Sequence, residues 1–209
     1  MAKNLDPKCK QCRREGTKLF LKGEKCYSPK CPIVRRNYPP GVHGAKGRKH
    51  PTEYGIQLRE KQKAKRIYGI LERQFKNYYQ KAIVKKGNTG EFLSQLLETR
   101  LDNVIYRMGL AKSRGLARQL ISHGHFLING KRVNIPSYQV KVKDKVAIKP
   151  NRLNSKIFQD LSKTLEKYEF PTWLIFDSKT KEGKILSKPE ITEVEKLFDP
   201  RLIVEFYSR

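Results

Sequence analysis

Residues 99–150 read TRLDNVIYRMGLAKSRGLARQLISHGHFLINGKRVNIPSYQVKVKDKVAIKP, and this stretch decides the fold. Leu101, Val104, Ile105 and Met108 fall at i, i+3, i+4 and i+7, which makes one apolar helix face. Gly109 can supply the positive φ that ends a helix. Ser113 is a good N-cap for a second helix with Leu116, Ala117, Leu120 and Ile121 on its apolar side, and Gly124 is placed to stop it. Arg114 and Arg118 share that helix's solvent face. Phe126-Leu127-Ile128, Asn129-Gly130 and Lys131-Arg132-Val133 then spell a hairpin, because Asn-Gly tolerates the two positive φ values of a type I′ turn. After Pro136, residues Val140, Val142, Val146 and Ile148 alternate with lysines, as in a half-buried strand. The whole is a small hydrophobic core wearing a basic coat.

The basic excess extends to the N-terminus and stops at residue 150. The 209 residues hold 46 Lys and Arg against 20 Asp and Glu, a formal net charge of +26. Such an excess points to a polyanion, nucleic acid first. Residues 151–209 carry 11 basic and 10 acidic side chains, and residues 1–150 carry 35 and 10. The partner surface is therefore expected before residue 150. The length suits one large or two small domains. No apolar run approaches the ~20 residues of a membrane span, and the N-terminus lacks a signal-peptide core, so a cytosolic location is expected.

All four cysteines lie near the N-terminus, as Cys9-x₂-Cys12 and Cys26-x₄-Cys31. Each short loop can bring two thiolates to one metal, and two such loops complete a tetrahedral shell. Zinc is the first expectation, in a structural role. An iron–sulfur cluster uses the same ligand set and stays open, as does a set of ordinary thiols. Lys8, Lys10, Arg13, Arg14, Lys25 and Lys30 would offset the charge of four thiolates. Residues 35–50 are rich in Gly, Pro and cations, and are expected to be extended when free and to order on RNA. A plain flexible linker is the alternative.

Thr52 can cap a helix through about Tyr68. Leu71, Phe75, Tyr78, Tyr79, Ala82 and Ile83 give a second helix, and Thr89 starts a third. These aromatics are expected in a core rather than as base-stacking platforms. Arg59, Lys61, Lys63, Lys65 and Arg66 make a basic stripe, read here as phosphate-contacting. Further on, Ile157 to Tyr168 marks a helix and Trp173 to Phe176 a strand. Lys179 to Gly183 forms a turn, with a return strand at Lys184 to Leu186. Thr192 to Phe198 suggests a helix. Leu202 to Tyr207 alternates like a strand. The fold class expected is α+β, with segments 1–50 (metal knuckle and basic arm), 51–98 (helical block), 99–150 (basic module) and 151–209 (sheet completion and return to the helical domain).

Residues 100–146 closely resemble the helix-helix-hairpin RNA-binding module named after the fourth protein of the small ribosomal subunit. That module also occurs in some pseudouridine synthases and tyrosyl-tRNA synthetases. Pro39-Pro40-Gly41-x-His43-Gly44, Leu58-Arg59-Glu60-Lys61-Gln62-Lys63, Tyr68-Gly69-Ile70 and the ending LIVEFYSR extend the resemblance to the family of bacterial small ribosomal subunit protein four over essentially the whole chain. The four cysteines match that family's metal-containing branch. The resemblance implies a helical domain with the module inserted. It implies a primary 16S rRNA-binding protein that nucleates assembly of the subunit body and contributes to translational accuracy. It also implies contact with neighbouring small-subunit protein five, with protein twelve a second candidate, and with mRNA on its way into the ribosome. No membrane or small-molecule partner is implied.

The residues expected to meet RNA are Arg13, Arg14, Arg35, Arg36, Arg59, Lys61, Lys63, Arg66, Arg100, Arg107, Lys112, Ser113, Arg114, Arg118, Gln119, His123, Lys131 and Arg132. Ser113 is first an N-cap and second a phosphate contact. His123 and His125 stand open between RNA contact and structural ring. Double-stranded RNA hides its base edges in a deep groove, so recognition is expected to rest on backbone and 2′-OH geometry. The same module could serve another structured RNA. A DNA-binding zinc protein is disfavoured, because the spacing lacks the histidines of a C₂H₂ finger. Arg100-Leu101-Asp102 resembles the short sequence carrying the catalytic Asp of pseudouridine synthases, but here that Asp begins a helix of the binding module itself, where carboxylates usually serve the helix dipole. No enzyme is expected.

Overall fold

In the computed structural model Thr52 caps the first long helix, its Oγ1 accepting the Gly55 N–H at 3.2 Å. The structure describes residues 4–46, 50–153, 155, 158, 165, 168–177, 180–190 and 198–209. The chain divides into two units, Met1–Ser94 with Val194–Arg209, and Gln95–Glu193. The second is an insertion in the chain of the first.

The first unit is helical. Helices α1 (Lys8–Glu15), α2 (Glu24–Tyr27) and α3 (Pro32–Arg35) are followed by a 3₁₀ turn at Val42–Lys46. Then come α4 (Glu53–Ile67), α5 (Glu72–Ile83) and α6 (Thr89–Glu98), the last running on into the second unit. Phe75, Tyr78, Tyr79 and Ala82 line the buried side of α5, so the aromatics serve a core as expected.

Residues 202–207 correct the sequence reading, because they lie in a helix, Pro200–Ser208. Asp199 accepts the Arg201 N–H at 2.8 Å, and Pro200 stands at the first helical position, pre-set for a helix. Ile203, Phe206 and Tyr207 then fall on one side. This helix packs along α4, and Tyr207 stacks on Tyr79 at 4.6 Å. Glu72 ties the elements together, accepting from Lys61 at 2.9 Å, Lys65 at 3.0 Å and the Tyr207 hydroxyl at 2.8 Å. Burial opposes its charge, but these bonds outweigh that and hold its carboxyl at about 2. Burial, then the bond to Glu72, pushes the Tyr207 phenol up.

The second unit holds α7 (Leu101–Arg107) and α8 (Arg114–Ser122) against a small sheet of β1 (Phe126–Ile128), β2 (Lys131–Arg132), β3 (Lys145–Ile148), β4 (Leu174–Asp177) and β5 (Glu182–Ile185). The described strands are ordered β2-β1-β3-β5-β4, and every pairing is antiparallel. Asn129 and Gly130 take φ values of 50° and 79°, the type I′ geometry that pairs Ile128 with Lys131. The Ser113 Oγ accepts the Leu116 N–H at 3.2 Å and so caps α8. Met108, Ile105, Phe126, Trp173 and Ile185 lie in one buried cluster.

Strand β3 is shorter than its alternation suggests. Lys143 has φ 75°, and the Asp144 side chain accepts the Lys141 N–H at 2.8 Å. Residues 141–144 are thus a turn, and before it Gln139 pairs as an isolated bridge to Arg100. The helices read at 157–168 and 192–198 fall largely outside the described residues, as does Lys179 of the expected turn. Phe158 and Leu165 are described, and both are buried.

Candidate nucleic-acid interface and cysteine cluster

On the second unit α8, its flanking residues and the β1–β2 hairpin carry most of that unit's residues singled out in the sequence. Lys112, Gln119, His123, Lys131 and Arg132 are exposed, and Arg114 and Arg118 are half-buried. Ser113 is committed to its cap. Gly124 has φ 70°, and a Cβ there would stand 2.3 Å from the Arg132 Nε. That glycine therefore both ends α8 and gives the Arg132 guanidinium a place to lie. The Arg114 guanidinium sits 4.5 Å from the Tyr106 ring centroid and donates to Asn103 Oδ1 at 2.7 Å. Arg107 forks onto Glu98, with Nε to Oε2 at 3.0 Å and Nη2 to Oε1 at 3.1 Å. His125 is buried edge-on to Phe158, and burial, with Arg152 and His123 nearby, holds its ring below the usual histidine range. It is a core ring, whereas His123 is exposed.

Two expected phosphate ligands need correction. Arg100 is fully buried, and its guanidinium donates to both carboxylate oxygens of Asp102, at 3.0 and 2.7 Å. Lys61 is 6% exposed, donates to Glu72 and lies 4.3 Å from the Phe206 ring centroid. Neither is placed to reach a phosphate. An ammonium or guanidinium inside the fold is sustained by its carboxylate partner, so here cationic character does not signal exposure.

Much of the remaining α4 stripe is matched by acids within the first unit. Arg59 and Arg66 both pair with Glu15, whose side chain is 2% exposed, and Lys63 pairs with Glu60 at 3.3 Å. Burial pushes the Glu15 carboxyl up, against the pull of Arg66, Arg59 and Arg14. Arg14, Arg35 and Arg36 are exposed. Arg13 donates to the Tyr38 and Pro39 carbonyls at 3.0 and 3.2 Å and stacks on Tyr38. The described part of the arm is thus docked on α1, where composition alone suggests an extended segment. Its turn depends on Gly44, where a Cβ would meet the Pro39 carbonyl oxygen at 1.8 Å.

The cysteines do not sit on two loops. Cys9 and Cys12 lie on α1, Cys26 lies in α2, and Cys31 precedes α3. All four line one cavity of about 10 Å³. The Lys22 N–H reaches the Cys26 Sγ at 3.3 Å. Burial, then the nearby thiols, pushes the Cys12 thiol up against a backbone hydrogen bond from Leu19. Among the described residues no three Cys, His, Asp or Glu side chains stand gathered closely enough to hold a metal ion.

The sequence reading missed Glu98, Asn103 and Tyr106. Glu98 ends one helix, and Asn103 and Arg107 lie beyond a break, so helical spacing could not connect them.

Comparison with known proteins matches residues 3–98 to the ribosomal protein S4/S9 N-terminal domain and residues 99–146 to the S4 domain. The chain is 52% identical to small ribosomal subunit protein uS4 of Natranaerobius thermophilus and 54% identical to protein uS4A of Symbiobacterium thermophilum. It is 52% identical to the uS4 protein of Nitrosospira multiformis. In each case the match covers 100% of both chains.

Proposed function

Because the chain belongs to the ribosomal protein uS4 family, joining an S4/S9 N-terminal domain to an S4 domain, we propose that it is a structural constituent of the small ribosomal subunit that binds rRNA. The observation that carries this reading is identity above half, end to end, with proteins named for that subunit. The protein works by position and charge. Lys112, Lys131, Arg132 and the α8 arginines neutralise phosphates of packed RNA helices and release their counterions. It is not an enzyme. Asp102, the residue an isomerase reading would need, is 3% exposed and spends both oxygens on Arg100.

The finer reading is binding of 16S rRNA early in assembly, nucleating the subunit body and contributing to decoding accuracy. Small-subunit protein five, with twelve the second candidate, and incoming mRNA would be its neighbours. The family resemblance supports this, and it supports a location on the ribosome in the bacterial cytoplasm.

We propose further that Cys9, Cys12, Cys26 and Cys31 hold one structural zinc ion. The thiols fit in kind, and they share one cavity. They would have to draw together to close a tetrahedral shell. Four thiolates leave no open position, so the metal would supply folding energy only, on the order of 10 kcal/mol in small zinc domains. An iron–sulfur cluster would give the same protein visible absorbance.

Competition binding tests both proposals. A small-subunit rRNA fragment should displace the protein from duplex DNA of equal length by on the order of a thousandfold at moderate salt. Metal analysis should find one zinc per chain, and stripping it should weaken rRNA binding. Equal competition by DNA would contradict the rRNA reading. Metal-free protein with four freely reactive thiols and full binding would contradict the zinc site.

A further inference from the structure

Glu98 presents a paradox for a nucleic-acid-binding surface. It is a carboxylate, 1% exposed, among residues that carry 35 cations before position 151. By charge alone it should repel phosphate, and burying it is costly unless its oxygens are bonded. They are. Oε1 and Oε2 accept the two parallel bonds from Arg107, and Oε2 also accepts the Asn103 Nδ2 at 2.8 Å. A carboxylate only accepts, so Asn103 must turn its NH₂ toward Glu98. The same NH₂ donates to the Glu98 carbonyl at 2.9 Å, which fixes the amide further. Asn103 Oδ1 is thereby turned away from Glu98, and the Arg114 Nε finds it at 2.7 Å. Tyr106 holds the flat side of that guanidinium.

We infer that Glu98 is a positioning residue for RNA binding: one buried acid orients Arg107 directly and Arg114 through the Asn103 amide. This rests on the RNA-binding reading above. Long arginine side chains lose rotamer freedom when they grip a phosphate. Ordering them beforehand removes that loss from the binding step. The acid therefore helps the surface hold phosphate, although it lowers the net charge.

The sign of a single substitution separates the two accounts. Glu98→Gln removes one negative charge at nearly constant shape. Simple charge counting expects tighter RNA binding. The positioning account expects binding about tenfold weaker, since the introduced amide sets a donor against the donors of Asn103 and Arg107 and frees both arginines. Affinity for the small-subunit rRNA fragment would be measured with the full chain, beside a thermal melt. The same substitution would also be made in an Arg107→Gln/Arg114→Gln background, where the positioning account expects Glu98→Gln to have no further effect. Unchanged or tighter binding overturns the inference. So does a loss that persists undiminished in that background, which would mark Glu98 as merely structural. Arg114→Lys covers the case in which Glu98→Gln fails to fold. It keeps the charge but loses both the bond to Asn103 and the planar stack on Tyr106. It should weaken binding severalfold, and equal binding overturns the inference. Wild-type protein that ignores the rRNA would instead sink the functional reading itself, so the two failures are distinguishable.

Discussion

Asp102→Ala is expected to destabilise the second unit by about 3–5 kcal/mol, the cost of leaving a buried charge without its partner. Arg100 is 0% exposed, and Asp102 gives it two short charge-assisted bonds. Asp102 also stands in the first turn of α7, where a carboxylate offsets the helix dipole. Without it the guanidinium would have to stay buried and unmatched or drag α7 open. The single tryptophan, Trp173, is buried in the same unit, so its fluorescence reports the transition in urea. The double change Arg100→Met/Asp102→Leu should recover most of the loss, because apolar replacement of a whole buried pair is often neutral or better. It should also leave RNA binding close to wild type, since Arg100 does not reach solvent. A loss below about 1 kcal/mol for Asp102→Ala would mean that the pair is not sealed as described.

The largest expected effect on binding comes from salt. Engagement of about ten phosphates gives a log–log slope near −7 to −9, and affinity should fall by on the order of 10⁴–10⁵ between 50 and 200 mM salt. The structure refines which cations set that slope. Lys131→Gln/Arg132→Gln removes two exposed hairpin charges and should make the slope shallower by about 2. Lys61→Gln should change it little, because Lys61 is spent on Glu72 within the first unit. A total slope shallower than about −3 would contradict the counterion account. So would equal effects from the hairpin and Lys61 substitutions.

Local chemistry made much of this fold legible. Thr52 and Ser113 cap their helices, and Asn129-Gly130 makes the turn, because each acts within three or four residues of itself. The same locality explains the failures. Leu202 to Tyr207 shows both an alternating and a helical pattern, and a short apolar run cannot separate them. The deciding signal was upstream, in Asp199-Pro200. The valine alternation after Pro136 concealed the turn at Lys143-Asp144.

The candidate interface divides along the same line. The exposed hairpin cations and the half-buried arginines of α8 were readable as a periodic coat. The burial of Arg100 and Lys61 was not, because other segments close over them, and neither was the pairing of Glu15 with Arg59 and Arg66, since those contacts close only when distant segments meet. Glu98 escaped for a further reason: in a strongly basic chain attention goes to cations, and the residue that orients them is an acid.

The most direct test of the central claim is a footprint of the pure protein on small-subunit rRNA at moderate salt. Protection of one compact, multi-helix site, retained as salt is raised modestly, is the predicted result for a subunit constituent with a specific rRNA partner. Diffuse protection that disappears with the same rise in salt would contradict it. It would show the +26 charge acting on RNA without discrimination.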